Sequence, residues 1–408
     1  MSGIRQQIES GAWLTAERIR IYSAIVLAMG VLAIAAWIAL ADSAIDRNGK
    51  PLGTDFSNVY AAGTLVWQGK AADAYDPPLQ HAAEIAVFGG RDVPFYGWHY
   101  PPFFLVIAAL VATIPYLWGL ALWQIASFIA YCAAMGAILP RRETLLVASA
   151  FPAVFVNIGH GHNGFLTTAL LGGALLQLHR RPWIAGVLIG LIAYKPQFGV
   201  LIPLALMADG RWRTIAGAAL TVIALIAIST LMFGTSIWHA FADSTAFTRD
   251  VVLEQGGTGW PKIQSIFSAA RMWGADVSFA YAAQGALAVA VALGLIWLWR
   301  SDAAFALKAS ALAIGSLLAT PYVLDYDLVV LAIAIAWFTR HGLAHGFKGG
   351  EISVIALAWI MPLLARSVAG AIHLPLGLLT MIAFYAIVFR RAVLDRQAAG
   401  HHDALAAV

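Results

Sequence analysis

The side chains of this sequence that could do chemistry fall into three short tracts. The first is Gly53-Thr54-Asp55-Phe56-Ser57-Asn58-Val59-Tyr60-Ala61-Ala62-Gly63, followed by Ala74-Tyr75-Asp76 and by His99-Tyr100-Pro101-Pro102-Phe103-Phe104. Asp55 stands at a helix start. It reads either as an N-cap that accepts from exposed N–H groups or as a general base whose proton affinity partial burial can tune. The second tract is Ala193-Tyr194-Lys195-Pro196-Gln197, a lysine and a proline inside an apolar run. A charge there either snorkels to an interface or faces a cavity or partner, and Pro196 frees backbone groups that suit a ligand-lined kink. An ammonium in that position could hold a phosphate. The third tract, Thr320-Pro321-Tyr322-Val323-Leu324-Asp325-Tyr326-Asp327, reads as a connecting turn or as carboxylates and aromatic faces for recognising a hydroxyl-rich ligand. Asp325 and Asp327 could also bind a divalent cation, although two acids alone specify no metal.

Weaker signals are Asn157-Ile158-Gly159-His160-Gly161-His162-Asn163-Gly164, the tract Trp260-Pro261-Lys262-Ile263-Gln264-Ser265 with Arg271, and Arg366 in a late apolar run. His160 and His162 stand at i and i+2, off a single helical face, which makes a zinc site a poor reading and a flexible turn the plainer one. Arg366 snorkels or pairs with an anion. His401-His402 reads as tail. Walker, dinucleotide and nucleophile-elbow patterns are missing from the sequence, so ATP-driven transport has no support.

The elements that must position these residues are membrane spans. Of the 408 residues 61% are hydrophobic and 11% charged, and the mean hydropathy is +0.78. That balance excludes a water-soluble globule. The single cysteine, Cys132, leaves no disulfide framework and no thiolate metal site. The basic balance, pI about 9.2, reflects arginines flanking apolar spans rather than a nucleic-acid partner. Arg5, Arg18 and Arg20 precede the run Ile21 to Ala41, long enough to cross the hydrocarbon core and too long for a cleaved signal. Further runs are Pro101 to Ile114, Leu117 to Leu139, Leu145 to Ile158, Phe165 to Leu178, Trp183 to Met207, Thr214 to Phe233, Val277 to Trp299, Ala303 to Thr320, Leu328 to Phe338, Ile352 to Leu364 and Leu376 to Phe389.

The expected fold is therefore an all-α polytopic membrane protein with about twelve transmembrane helices. It forms one integral membrane domain, residues 1–408, with two long outer loops, 42–100 and 234–276, that carry short interfacial helices. Arg211, Arg213, Arg300, Arg340, Lys348, Arg390, Arg391 and Arg396 mark cytoplasmic edges and place both termini inside. The pairs Arg141/Arg142 and Arg180/Arg181 break simple alternation. Either the positive-inside rule fails twice, or Pro101 to Leu139 crosses once in net and Trp183 to Met207 dips in and returns. Many of the 21 acids gather in the two outer loops, so any chemistry is expected on that face.

The motif Asp-Phe-x-x-x-Tyr-x-Ala-Gly in the first loop, the later Tyr-Pro-Pro-Phe, Lys-Pro-Gln inside a short span and Pro-Tyr-x-x-Asp-Tyr-Asp near the end together resemble glycosyltransferase family 87. That family belongs to the GT-C superfamily of polytopic enzymes that use polyprenyl-phosphate sugars. It includes mycobacterial polyprenol-phosphate-mannose-dependent mannosyltransferases. The resemblance runs in order from about Asp55 to Asp327. It implies an inverting transfer of a hexose, mannose first, to a hydroxyl of a lipid or glycan acceptor on the outer face of a bacterial cytoplasmic membrane, with Asp55 as general base. The donor phosphate would be held by Lys195, Arg366 and His99 in that order. Sugar and acceptor would be bound by Tyr60, Tyr100, His160, Asn163, Gln197, Gln264, Tyr322, Asp325 and Asp327. Tyr322 stands where some members carry histidine, which leaves the phosphate-side partner open. No cofactor is implied and a divalent metal is not indicated. The expected partners are a polyprenyl-phosphate sugar, the acceptor and membrane lipids, with no nucleic acid, and the protein is expected to be a monomer. Two rival readings are a secondary transporter or lipid flippase that uses Lys195 and Arg366 as coupling charges, and a membrane acyltransferase that uses His160 and His162.

Overall fold

The computed structural model describes residues 2–406; the side chains of His401 and His402 lie outside what is described. Among the described residues the regular structure is helical, and the only β pairing is isolated bridges such as Ile263 with Leu324. Among the described residues seven helices are long and apolar enough to cross a membrane: Ala16–Ala39, Tyr116–Ile138, Trp212–Phe233, Val277–Arg300, Asp325–His345, Glu351–Ile372 and Leu376–Ala399. Shorter apolar helices are Gly164–Gln177, Pro182–Tyr194, Pro196–Ala208 and Phe305–Leu318. The first span is peripheral, with Met29 and Leu32 exposed as lipid-facing residues are, whereas Asp325–His345 runs through the centre with 67% of its most apolar window buried.

Polar contacts sort the helix ends into two groups. At one end Arg211 donates to His179 Nε2 at 2.7 Å, Lys308 reaches Asp209 Oδ1 at 3.5 Å, Arg340 donates to the Ile138 carbonyl, and Gly350 N bonds Glu9 O. Arginines and lysines dominate there. At the other end Tyr116 donates to Leu52 O at 2.7 Å, Thr54 bonds His160, Gln284 bonds Leu318 O and Trp273 bonds His373 O.

Two of the twelve expected spans do not run from one end of the helices to the other. The run Pro101 to Ile114 carries only the eight-residue helix Phe104–Val111, about 12 Å long, and leads into Tyr116–Ile138 from the end it started at. The run Trp183 to Met207 breaks at Tyr194-Lys195-Pro196, where the proline has no N–H for a helix ladder. Gly186 packs on Thr214 O and Gly217, and Gly190 on Ala218 and Thr221, so Pro182–Leu191 runs parallel to Trp212–Phe233. Both helices start at the basic end, and the segment between them dips in and returns. This puts Arg141, Arg142, Arg180 and Arg181 with the other basic residues and removes both conflicts. That leaves, among the described residues, ten segments that run between the two ends: the seven long helices, Gly164–Gln177, Phe305–Leu318 and the segment 144–160, which Pro152 divides into two helices.

The basic end is closed by a buried latch. Arg391, 1% exposed, pairs with Glu351 Oε2 at 2.9 Å, with Asp395 Oδ1 at 2.8 Å and with the Gly346 carbonyl, while His341 bonds the other Asp395 oxygen. Removing one partner of a buried pair strands the other, so Arg391→Ala is expected to destabilise the protein by about 3–5 kcal/mol, read as a lower unfolding midpoint in detergent.

Candidate active site

At the opposite end, helix Thr54–Trp67 begins on Gly53, whose φ of +73° favours glycine and whose position leaves the helix without a side-chain cap. Asp55 is therefore the second helical residue and does not cap it, which disposes of the N-cap reading. Its Oδ2 is buried and has no hydrogen-bond partner. Burial pushes the Asp55 carboxyl above its ordinary range. The positive charge of Lys262, the Tyr326 hydroxyl, Lys195 and His99 act in the opposite direction. Further along the helix, Gly63 presses so closely on Ala108 O that a Cβ would overlap it, fixing the helix against Phe104–Val111.

Tyr326 is the hub of the site. The His162 ring stacks on it at 3.7 Å, the His160 ring meets it edge-on at 5.2 Å, and Lys262 Nζ lies 4.8 Å from its centroid. Gly161, with φ +62°, ends helix Pro152–His160 in a left-handed cap. That turn brings both histidines to one ring although their spacing excludes a shared helical face. His160 Nδ1 lies 2.7 Å from Thr54 Oγ1, one residue before Asp55. Behind His162, Lys195 Nζ contacts its Nε2 at 3.2 Å and Asp327 Oδ1 at 2.6 Å, with the lysine and aspartate side chains 5% and 2% exposed. Lys195 is thus a buried ion-pair partner and does not snorkel.

Both acids of the third tract are held by the protein. Asp327 Oδ2 accepts from Leu324 N at 3.0 Å. Asp325 accepts from Tyr326 N, and its other oxygen faces Arg366 at 3.4 Å. Arg366 is 55% exposed at the rim, and Tyr322 is half-buried beside the cluster. His99 bonds Thr248 Oγ1 at 2.7 Å, linking the two long loops. Burial lowers its pKa to about 4, so it is a neutral ring near pH 7.

Asn163 donates to the Tyr100 hydroxyl at 2.8 Å in a layer behind the site, and Tyr194 donates to Asn163 O. Gln264 donates to Pro261 O while its backbone pairs with Val323, a scaffold role, and Gln197 lies partly exposed in the helix break. Tyr60 is placed outside the cluster: its hydroxyl donates to Ile114 O at 2.9 Å and its ring packs edge-on to Tyr116. Tyr60→Phe is expected to cost about 1 kcal/mol of stability and to leave activity unchanged, in thermal melts and initial rates on the same preparation. Three residues central to the cluster, His162, Tyr326 and Lys262, were not among the sequence-derived site residues. A lysine amid Trp260-Pro261 and Ile263 was the available signal for Lys262.

Fold and site together define a polytopic membrane protein with a polar, aromatic-walled cluster buried at one end. The model of glycosyltransferase family 87 matches residues 98–321, more than half of the chain, and the chain belongs to that family of glycosyltransferases. No curated protein and no solved structure matches it. The matched stretch holds His99, both histidines near Tyr326, Lys195 and Lys262. Asp55, Asp325 and Asp327 lie outside it and are joined to it by the contacts above.

Proposed function

We propose that the protein transfers a hexose, mannose first, from a polyprenyl-phosphate sugar to a hydroxyl of a lipid or glycan acceptor with inversion, Asp55 being the general base. The observation that carries this reading is the Asp55 carboxylate itself. The side chain is half-buried, its Oδ2 is buried and free of protein partners, and the charges and hydroxyl that act on it come from four other segments. In a family of glycosyltransferases such an oxygen is placed to take the acceptor proton as that hydroxyl attacks the anomeric carbon. Lys195 is committed to Asp327, so Arg366 and Lys262 are the better groups to meet the departing phosphate, with neutral His99 as a hydrogen-bond donor.

Basic residues mark the cytoplasmic side, so the basic end lies in the cytoplasm with both termini. The cluster then faces the outside of a bacterial cytoplasmic membrane, where a lipid donor can enter sideways from the bilayer. The test is purified protein in detergent supplied with polyprenyl-phosphate sugars and membrane-lipid acceptors, wild type beside Asp55→Asn. Transfer undiminished in the variant removes Asp55 as base. Donor recovered intact by the wild type across a broad acceptor panel favours a transporter.

A further inference from the structure

Behind Asp55 a polar seam runs between helix Thr54–Trp67 and helix Pro77–Val87 and is not used by any step above. Asn58 stands one turn on from Asp55; Gln80 Nε2 donates to Asn58 O at 3.0 Å; Glu84 stands one turn on from Gln80. Asn58 is 5% exposed, Gln80 1% and Glu84 0%. Four oxygens along this line are buried without a hydrogen-bond partner: Asp55 Oδ2, Asn58 Oδ1, Gln80 Oε1 and Glu84 Oε1. Stranded acceptors on neighbouring residues call for donors, of the kind that water or a protonated carboxyl supplies. At its far end Glu84 Oε2 accepts from Tyr96 N at 3.0 Å, and Tyr96 is part-exposed.

We propose that Glu84 is a positioning and proton-relay residue, carrying to solvent beside Tyr96 the proton that Asp55 takes from the acceptor. This rests on the reading of Asp55 as base. In the transfer step the acceptor O–H bond breaks as the new glycosidic C–O bond forms, and the proton goes to Asp55. Glu84 then gives its own proton to water on the Tyr96 side and receives the Asp55 proton through the seam. The net result is one proton moved from the acceptor hydroxyl to solvent, with Asp55 and Glu84 restored.

Charge and burial suit the role. Burial pushes the Glu84 carboxyl up to about 8, with Asp55 adding to the rise and the Tyr96 N–H and Gln80 opposing it. Near neutral pH Glu84 therefore holds a proton, as a relay that gives before it takes requires. The titratable groups around it are Asp55 on one helix, Tyr96 in the following segment and Tyr116 on the long helix beyond. Tyr116 spends its hydroxyl on Leu52 O, and Tyr75 of the neighbouring turn spends its own on Tyr100 O.

Glu84→Gln is the test, because glutamine matches the neutral acid in shape and charge and should leave the unfolding midpoint at the wild-type value or above it. Turnover is expected to fall about 10²-fold at unchanged KM, with a larger solvent isotope effect as proton release becomes limiting, and Glu84→Asp should recover part of the loss. An infrared titration needs no substrate. It should show a protonated-carboxyl band disappearing near pH 8, absent in Glu84→Gln and moved to lower pH in Asp55→Asn. Wild-type turnover and isotope effect in Glu84→Gln, with Asp55→Asn inactive, overturn the relay and leave the base standing. A carboxyl titration indifferent to Asp55→Asn also overturns it. Full transfer by Asp55→Asn removes base and relay together.

Discussion

Asp55→Asn is expected to lower sugar transfer by about 10²–10⁴-fold, the range that a positioned general base supplies, while the purified variant unfolds at the wild-type temperature or above it. The two outcomes come from the same burial. Asparagine keeps the shape of the side chain and removes its capacity to take a proton. The folded protein holds the Asp55 carboxyl above its unfolded value, so ionised Asp55 is a net cost to the fold. That cost is absent well below pH 4, where the carboxyl is protonated in both states, and grows as pH rises through the folded pKa. At neutral pH the wild type bears it and asparagine does not, although Lys262 loses an opposing charge in the exchange. Paired measurements of initial rate and unfolding midpoint check both signs. A variant that loses activity and also melts far below the wild type would assign Asp55 a structural role.

How far the sequence could be read differs from residue to residue, for identifiable reasons. Lys195 was legible because a charge inside an apolar run is costly and must be answered. Its partner was not, since Asp327 lies 132 residues away and only packing decides which acid supplies the answer. Tyr60 was drawn into the site by closeness in sequence. Five residues of an α-helix turn the side chain about 140° from Asp55, on to the face that meets Tyr116. Helical spacing denies the two histidines a shared face and so a zinc site, while His160 alone is expected at the sugar; the glycine between them leaves the helix and brings both rings to Tyr326. Composition and hydropathy gave a helical membrane protein directly, but hydropathy measures how apolar a run is and is blind to its direction. That is why two runs were counted as spans. The basic pairs beside them already held the contradiction, and Gly186 and Gly190, small enough for helices to meet in parallel, resolve it.

The buried pair Lys195–Asp327 gives the other large effect and separates structure from chemistry. At 2.6 Å and almost completely buried, it has exchanged hydration for one strong contact, and Asp327 keeps Leu324 N as its other partner among the described residues. Lys195→Met strands a carboxylate, so the unfolding free energy is expected to drop by about 3–5 kcal/mol. Replacing both residues, Lys195→Met with Asp327→Leu, removes the stranded charge and should return most of that loss, since apolar substitutes for buried ion pairs are often neutral or stabilising. Transfer should not return with it. Lys195 also holds His162, which stacks on Tyr326, whose hydroxyl acts on Asp55, so the double variant packs well around a misplaced hub. Stability recovered without activity places the pair in the catalytic assembly. Recovery of both would make it a packing device alone, and a Lys195→Met variant as stable as the wild type would show that the two charges do not meet.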